Sequence, residues 1–343
     1  MNHDVAAGNR ASPRRALSVL LLSAAAVAGG GIAVAARAQQ PDAAADYPNR
    51  PIRLVVGYGA GTSTDLQARF LAQKLSELVK QPIIVENKPG ASASLGTQYA
   101  LTFPADGYTL TLGGTTSHAA NVGLFRNLPY DPLRDFVPIS GLAIGGGAFV
   151  VKRDFPAKSI SELIEMARRN PGKYSYAWSA AFSRVAFAAL AAESKIDLLD
   201  VPYKGSASLA TEVMAGTVDV TFEALVSLLP QIRAGNVRAI GVSTARRSAD
   251  LPDVPTVAEQ GVPGYQILGW TALFAKTGTP QPIVDKLNRL VVSILKTPEA
   301  AEFFRRNTAW EPMIMTPAET GRFLVSEVAL WTEGVRKAKI EPQ

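Results

Sequence analysis

The segment 52–65, IRLVVGYGAGTSTD, contains the residue types that bind an anion through the backbone. Its β-branched start predicts a buried strand, three glycines follow, and a helix is predicted to begin with Ser63 or Thr64 as its N-cap. Glycine lets backbone N–H groups approach a ligand closely, and the first turn of a helix adds unpaired N–H donors and the positive end of the dipole. The segment is therefore predicted to hold an anion, either a phosphate or a carboxylate.

Other kinds of chemistry have little support in the sequence. The spacing of Gly57, Gly59 and Gly61 departs from the dinucleotide fingerprint, because the third glycine falls one position early. There is no cysteine, no G-x-S-x-G elbow, no H-E-x-x-H helix and no Walker loop. His118 has no serine partner at a known spacing. A secreted α/β hydrolase that uses His118 and a serine stays as the alternative from another functional class.

The first forty residues have the pattern of an export signal. Three arginines precede an apolar run from Ala16 to Ala36, which ends in an A-x-A site, so cleavage is predicted between Ala38 and Gln39. A membrane anchor is the rival interpretation, but three consecutive glycines interrupt the run. The pair Arg14-Arg15 is compatible with twin-arginine export as well as with general export.

Composition narrows the class of the exported protein. The predicted signal contains four arginines and one aspartate, so its removal lowers the formal net charge from +6 to +3. No cluster of Lys and Arg with interleaved aromatics is present, which argues against nucleic-acid binding. The absence of cysteine excludes disulfides, and about three hundred remaining residues predict two domains.

Short β-branched runs alternate with helical patterns after a polar leader at residues 39–46. The predicted strands are Ile52–Gly57, Pro82–Glu86, Thr109–Gly113, Ala148–Val151, Tyr174–Trp178, Leu199–Tyr203, Val218–Phe222, Val237–Ser243 and Gln266–Ala275. The predicted helices are Asp65–Val79, Ser92–Thr102, Ser159–Arg169, Ser183–Lys195, Ser206–Ala215, Pro282–Leu295 and Thr316–Lys339. Such alternation predicts an α/β fold with mainly parallel sheets flanked by helices, which bind ligands at the carboxyl ends of their strands.

The alternation occurs twice in series, which predicts two lobes. Residues 47–145 together with 245–343 are assigned to lobe 1, and residues 146–244 to lobe 2. Gly145-Gly146-Gly147 lies in the middle of a predicted crossing between the lobes, and the stretch 237–244 is the predicted return crossing. Two lobes joined by crossings predict a ligand cleft that closes by a hinge motion.

Several motifs resemble one known family along the whole chain after the predicted signal. They are Tyr47-Pro48-x-Arg50-Pro51-Ile52-Arg53, Gly61-Thr62-Ser63-Thr64-Asp65, Pro82-Ile83-Ile84-Val85-Glu86-Asn87-Lys88-Pro89-Gly90-Ala91, Asp106-Gly107-Tyr108-Thr109-Leu110, Ser117-His118-Ala119-x-Asn121, Val201-Pro202-Tyr203-Lys204-Gly205-Ser206 and Leu251-Pro252-Asp253-Val254-Pro255-Thr256-Val257-Ala258-Glu259. They resemble the Bug-type solute receptors of tripartite tricarboxylate transporters. The resemblance implies a monomeric periplasmic protein of the Venus-flytrap fold with no enzymatic activity and no cofactor. It also implies delivery of a small carboxylate to an integral-membrane permease, although a ligand sensor for a two-component system stays open.

Matching positions give the candidate ligand-binding residues. Those of lobe 1 are Tyr58, Gly61, Thr62, Ser63, Thr64, Asp65, Thr116, Ser117 and His118. Those of lobe 2 are Trp178, Ser179, Ser183, Arg184, Gly205, Ser206, Ala207, Glu223 and Ala224. Asp65 is expected to order its loop rather than to face a bound carboxylate, which it would repel. His118 is expected either to contact the ligand or to pack against the neighbouring loop.

Some positions depart from the family pattern. Tyr58 replaces the usual Phe, and glycines replace prolines in the first loop. In lobe 2, Trp178, Phe182 and Arg184 stand in a loop that is usually rich in Gly, Ser and Asn. The aromatic residues are expected either to pack in the core or to narrow the cleft, and Arg184 either to face solvent or to bind a carboxylate in bidentate geometry. These departures favour a dicarboxylate or an aromatic carboxylate as the ligand.

Overall fold

A computed structural model describes residues 44–179, 181–203, 209–337 and 340–342. The predicted signal peptide and the candidate residues Gly205, Ser206 and Ala207 lie outside this part of the chain. None of the described helices is both long enough and apolar enough to cross a membrane. Residues 42–343 form one compact unit.

The described residues contain ten strands and ten α-helices. The strands are β1 (Ile52–Val56), β2 (Ile83–Asn87), β3 (Thr109–Gly114), β4 (Phe136–Lys152), β5 (Ser175–Trp178), β6 (Leu199–Pro202), β7 (Val220–Ala224), β8 (Val237–Val242), β9 (Leu268–Lys276) and β10 (Glu311–Pro312). The helices are α1 (Ser63–Val79), α2 (Ser94–Ala100), α3 (Asn121–Leu124), α4 (Ile160–Arg169), α5 (Ala181–Ser194), α6 (Leu209–Ala215), α7 (Leu225–Arg233), α8 (Gln281–Leu295), α9 (Pro298–Thr308) and α10 (Pro317–Lys337). A π-helical turn (Thr115–Ala120) follows β3 directly, and a short 3₁₀ turn covers Ala258–Gln260.

The strands form two sheets that share β4. In the first sheet, β1 pairs in parallel with β2 and β3, and β9 pairs antiparallel with β3 and with the first part of β4. In the second sheet, β5 pairs in parallel with β6 and β7, whereas the last part of β4 pairs antiparallel with β7 and β8. The α/β class is therefore confirmed, and both sheets are mixed, because β4 and its antiparallel partners carry the chain between the sheets.

The change of sheet occurs at three consecutive glycines of β4. Gly145 pairs with Gly269 of β9, and Gly147 pairs with Ala224 of β7. A Cβ atom built on Gly145 would lie 2.1 Å from the ring of Trp310, and one on Gly147 would lie 2.4 Å from Phe222. Any larger residue would push these side chains away, so the glycines permit close packing where the sheets meet.

Apolar side chains from both sheets meet one long helix. Helix α10 packs against β4, α5 and the π-helical turn. Its Trp331 is buried, and the Trp331 ring stacks at 6.3 Å on Phe182 at the start of α5. A second core lies between α1, α8 and α9 and strands β1, β3 and β9. The packing of α10 therefore ties helix α5 of the second sheet to the loops at the end of β3.

The sequence predicted most of these elements within about two residues at each end. The exceptions have physical reasons. β4 runs from Phe136 to Lys152, far longer than the predicted Ala148–Val151, because its first part is rich in glycine and lacks strict alternation. Helices α3, α7 and α9 were not predicted, and α7 contains Pro230 in its interior.

Ser243 joins the two crossing segments. It is fully buried, its Oγ accepts a hydrogen bond from Gly147 N at 3.0 Å, and it donates to Ile267 O at 2.6 Å. The side chain thus bridges the glycines of β4, the end of β8 and the entry to β9.

Replacing Ser243 by Ala should lower the free energy of unfolding by about 1–3 kcal/mol, because the buried Gly147 N–H and Ile267 C=O lose their partner. Urea denaturation of both proteins measures this difference. Ser293→Ala is the matched control, since Ser293 is exposed and donates to Leu290 O within its own helix; it should change stability by less than about 0.5 kcal/mol. Equal effects of the two substitutions would contradict the bridging role of Ser243.

Candidate functional site

The loop between β1 and α1 presents polar groups at the carboxyl end of a parallel strand. Thr62 is the N-cap of α1 and its side chain accepts a hydrogen bond from Asp65 N, so the helix begins earlier than predicted. Gly61 has a φ of +80° with no atom within 4 Å of the position that a Cβ would take, and Gly61 and Thr62 are exposed. Ser63 and Thr64 are half-buried in the first helical turn. Gly61 N, Thr62 N and Asp65 N donate within the loop itself, so the donors that this segment can offer an anion are the N–H groups of Ser63 and Thr64 in the first helical turn.

Asp65 holds this loop in shape. Its carboxylate is buried and accepts hydrogen bonds from Gly61 N at 2.8 Å, Arg69 Nε at 2.9 Å and Asn87 Nδ2 at 2.9 Å. Burial alone would raise the pKa of Asp65, but the bonds from Arg69, Gly61 and Asn87 lower it below its ordinary value. The Asp65 carboxylate is thus already hydrogen-bonded to three groups of the protein itself. This agrees with the expected ordering role of Asp65 and argues against a direct ligand contact.

Asn87, at the end of β2, was not among the candidate residues. Its side-chain amide donates both to Asp65 and to Tyr58 O, the latter at 3.0 Å. Its place at the carboxyl end of a parallel strand was the signal that could have identified it.

Tyr58 links the first loop to the next one. Burial raises the pKa of Tyr58 above its ordinary value, and the nearby Thr116 side chain, in the π-helical turn after β3, partly offsets this effect. The phenol therefore stays neutral at physiological pH. Two of the candidate residues of lobe 1 thus lie near each other, on the loops that follow β1 and β3.

His118 and Ser117 point into the core. The His118 ring is fully buried and stacks on Phe274 at 4.1 Å, and a Cβ on Gly113 would lie 2.2 Å from it. Ser117 Oγ lies 2.9 Å from His118 Nδ1, so a serine hydroxyl is within reach, as a hydrolase would require. However, Ser117 is also buried, and among the described residues His118 Nε2 has no hydrogen-bond partner, so no carboxylate there orients the ring. The pair therefore packs the core, which is the second of the two expectations for His118.

A second cluster lies at the carboxyl ends of β5 and β7. Ser179 Oγ donates to Glu223 Oε1 at 3.2 Å, and the hydroxyl of Ser183 is also hydrogen-bonded to this carboxyl group. Glu223 is only 8% exposed. Burial raises the pKa of Glu223 to about 7, although the two serine hydroxyls partly offset this effect. Ala224 follows as the half-buried N-cap of α7. The structure thus brings four predicted residues of the second sheet together.

Trp178 and Arg184 form a different cluster around Asp200 of β6. The Trp178 indole N–H and the Tyr176 hydroxyl both donate to the Asp200 carboxylate. Arg184 Nε and Nη2 each lie 3.2 Å from Asp200 Oδ2, and the guanidinium lies 4.5 Å from the Trp178 ring centroid. Neither expectation for Arg184 describes this arrangement, because the guanidinium is paired within its own sheet. Asp200 was not recognised from the sequence, since it lies sixteen residues away on the neighbouring strand.

Two contacts bring the halves of the site together. The π-helical turn of the first sheet packs against α5 of the second. Phe182, one of the aromatic departures, packs on Phe222 at 5.1 Å and on Trp331 at 6.3 Å, which places it in the core. Thr116 and Ser183 therefore lie on elements that touch each other.

A separate cavity of about 1090 Å³ lies beside the crossing segments. It is lined by Gly145–Gly147 of β4, the segment 244–250, Trp310 and the junction of α8 and α9. Of the candidate residues that the structure describes, none lines this cavity. It is a different feature from the predicted ligand site.

The buried environment of His118 predicts a pH-dependent stability. Burial lowers the pKa of His118 to about 3, whereas a histidine in the unfolded chain has a pKa of about 6.5. As the pH falls from 6.5 towards 3, the unfolded chain gains a proton that the folded chain does not take up. Stability should therefore fall by up to about 1.4 kcal/mol per pH unit in this window.

NMR of the imidazole C–H signals tests the burial of His118 directly. The His118 signals should not shift between pH 5 and 8 in the folded protein, and they should titrate normally in the urea-unfolded protein. Titration in the folded protein near pH 6–7 would contradict the core position and would revive a general-base role.

Comparison with known proteins places these features in a family. The model of the tripartite tricarboxylate transporter family receptor matches residues 67–340. The structure of R. palustris Rpa4515 with adipate is 33% identical, covers 87% of this chain and 100% of that chain, and superposes with a TM-score of 0.77. The periplasmic binding protein BugD is 31% identical, with coverage of 87% and 100% and a TM-score of 0.72.

MatC from Rhodopseudomonas palustris, solved with bound malate, is 29% identical, with coverage of 84% and 100% and a TM-score of 0.71. The predicted periplasmic-binding-protein fold is confirmed by these likenesses. The family and its structural neighbours are binding receptors, which excludes the hydrolase alternative. The chain belongs to the tripartite tricarboxylate transporter family of receptors, as its sequence motifs predicted.

Proposed function

We propose that this protein is a periplasmic receptor that binds a small organic carboxylate, with a dicarboxylate or an aromatic carboxylate favoured, and delivers it to a membrane permease. The ligand lies between two lobes, 47–145 plus 245–343 and 146–244. One carboxylate of the ligand accepts hydrogen bonds from the loop Gly61–Thr64 and from Thr116. Ser179, Ser183 and Glu223 approach it from the other lobe, together with the segment Gly205–Ala207.

The observation that carries this proposal is a pair of polar clusters at the carboxyl ends of parallel strands, one in each sheet. The turn that contains Thr116 packs against α5, the helix that carries Ser183 of the other cluster. Adipate in Rpa4515 and malate in MatC are both dicarboxylates, which supports the same ligand class here. Charge-assisted hydrogen bonds in a closed cleft give affinity without chemistry.

The lobes assigned here follow the two sheets, with the glycines of β4 and the Ser243 bridge between them. A receptor of this design closes by rotating one lobe on such crossings. Export of the chain rests on the signal pattern of residues 1–38, and the permease partner and the monomeric state rest on the family.

A thermal-shift screen with acetate, malate, adipate and benzoate tests the ligand class, because a ligand that binds only the folded state raises the Tm. At a ligand concentration of 100 times its Kd, the stabilisation is about 2.7 kcal/mol. The proposal requires a clear Tm increase with at least one dicarboxylate or aromatic carboxylate and none with acetate at the same concentration. No increase with any of the four acids would contradict it.

Substitution of Gly61 by Val tests the first loop. The side chain would occupy the space from which the ligand approaches the open N–H groups, so affinity for the carboxylate identified in the screen should fall at least tenfold. Gly264→Val is the matched control, because Gly264 also has a φ near +80° and open space around its Cβ position. Both variants carry similar backbone strain of about 1–3 kcal/mol. Calorimetry showing equal affinities for the two variants would remove this loop from the site.

Arg184→Ala tests whether the guanidinium exchanges Asp200 for a ligand carboxylate. A hydrogen bond to a charged group contributes about 1.5–3 kcal/mol, so we expect a loss of roughly tenfold or more in affinity. Arg169→Ala, at an exposed position of α4, is the control. If Arg184→Ala binds the ligand as tightly as the parent, Arg184 and Trp178 contact Asp200 and do not contact the ligand.

A further inference from the structure

The carboxyl group of Glu223 is an unusual feature of a site that binds anions. It is 8% exposed and lies at the end of β7, on the side of the β5–α5 loop. Its polar contacts in the described residues are the hydroxyls of Ser179 and Ser183. An ionised carboxylate at this place would repel the carboxylate of a ligand, because few charges of opposite sign are near.

The charged groups on the neighbouring elements are already used elsewhere. Asp219, which directly precedes β7 at the end opposite to Glu223, accepts hydrogen bonds from the backbone and hydroxyl of Ser175. On α5, Arg184 is paired with Asp200, to which Tyr176 of β5 also donates. On the π-helical turn, His118 is buried and neutral.

The remaining neighbours do not supply a cation either. The stretch Gly147–Val151 of β4, which pairs with β7, contains no titratable side chain. On α7, Arg233 bonds to Asp250. Within the part of the chain that the structure describes, no Lys, Arg or His forms an ion pair with Glu223; Lys204 lies outside that part.

We propose that Glu223 binds the ligand as a neutral carboxylic acid and donates a hydrogen bond to one oxygen of a ligand carboxylate, so that binding at alkaline pH takes up one proton. This inference rests on the proposed receptor function. Ser179 holds the carboxyl group in place by donating to it, which leaves the group's own O–H free to point at the ligand. The result is a short acid–carboxylate hydrogen bond in a buried site, which is a strong type of bond.

The pH dependence follows from the state of the free protein. Burial raises the pKa of Glu223 to about 7, so the neutral form already dominates below pH 6 and affinity is constant there. Above pH 7 the group must first gain a proton from solvent, so the Kd should rise by up to tenfold per pH unit. The carboxyl groups of malate, adipate and benzoate lose their protons at about pH 3–5.5, so above about pH 6.5 the ligand contributes little titration of its own.

Isothermal titration calorimetry tests the inference with the panel malate, adipate and benzoate, and the acid that binds tightest serves as the probe. At pH 8, titrations in two buffers of different ionisation enthalpy should show uptake of close to one proton per ligand. The Kd should be at least tenfold weaker at pH 8.5 than at pH 6.

Glu223→Gln keeps a hydrogen-bond donor at this position and removes the ionisable group, because an amide donates a hydrogen bond and does not titrate. This variant should bind the probe within about threefold of the parent at pH 6, with a Kd that does not change up to pH 8.5 and with no proton uptake. Glu165→Gln, at an exposed position of α4, should keep the pH dependence of the parent.

The outcomes distinguish this inference from the proposed function. If the parent binds the probe with no proton uptake at pH 8, the inference is overturned and the receptor function stands. Loss of binding in a folded Glu223→Gln variant at every pH would also overturn it, because an ionised Glu223 would then be accepting a bond from a ligand hydroxyl or ammonium group. If Glu223→Gln does not fold, the proton uptake of the parent decides. Absence of binding by all three acids between pH 5.5 and 8.5 overturns the receptor function and the inference together.

Discussion

The rest of the structure depends on close packing at the glycines of β4. One strand belongs to two sheets only if its middle residues leave room for side chains from both sides. At Gly145 that space is filled by Trp310, and at Gly147 by Phe222. Since β4 enters both sheets, its glycines set how closely the elements of the two sheets pack. The π-helical turn that follows β3 contacts α5, which follows β5.

The charged groups that border the site are mostly paired with another charged group of the same half of the protein. Asp65 pairs with Arg69, and Arg184 pairs with Asp200. An anionic ligand would then be held mainly by N–H groups, hydroxyls and the end of a helix dipole. Such fixed dipoles need no counter-charge to be buried with the ligand, so they avoid much of the desolvation cost of a buried ion pair. Glu223 stands out against this background because its carboxyl group is buried beside two serine hydroxyls rather than beside a cation.

The sequence predicted what depends on local pattern and on motif. The strand–glycine–helix order around Gly61 and the crossing at Gly145–Gly147 were both identified, because glycine has few roles in such contexts. Adjacent loops after β1 and β3 follow from the rule that parallel strands present their carboxyl ends together. Tyr58 and Thr116, on these two loops, lie near enough for Thr116 to affect the pKa of Tyr58.

Side-chain direction was the part that local pattern did not determine. Arg184 was expected to meet either solvent or ligand, whereas its partner is Asp200, brought close by the parallel pairing of β5 and β6. His118 follows Ser117 in sequence and lies within hydrogen-bond distance of it, yet a π-helical turn directs both into the core. The ring of His118 reaches Phe274 across β3 only because Gly113 has no side chain. The direction of a side chain at such positions therefore depends on the space between neighbouring strands. That space is often provided by a glycine, which has no side chain and no reactive group.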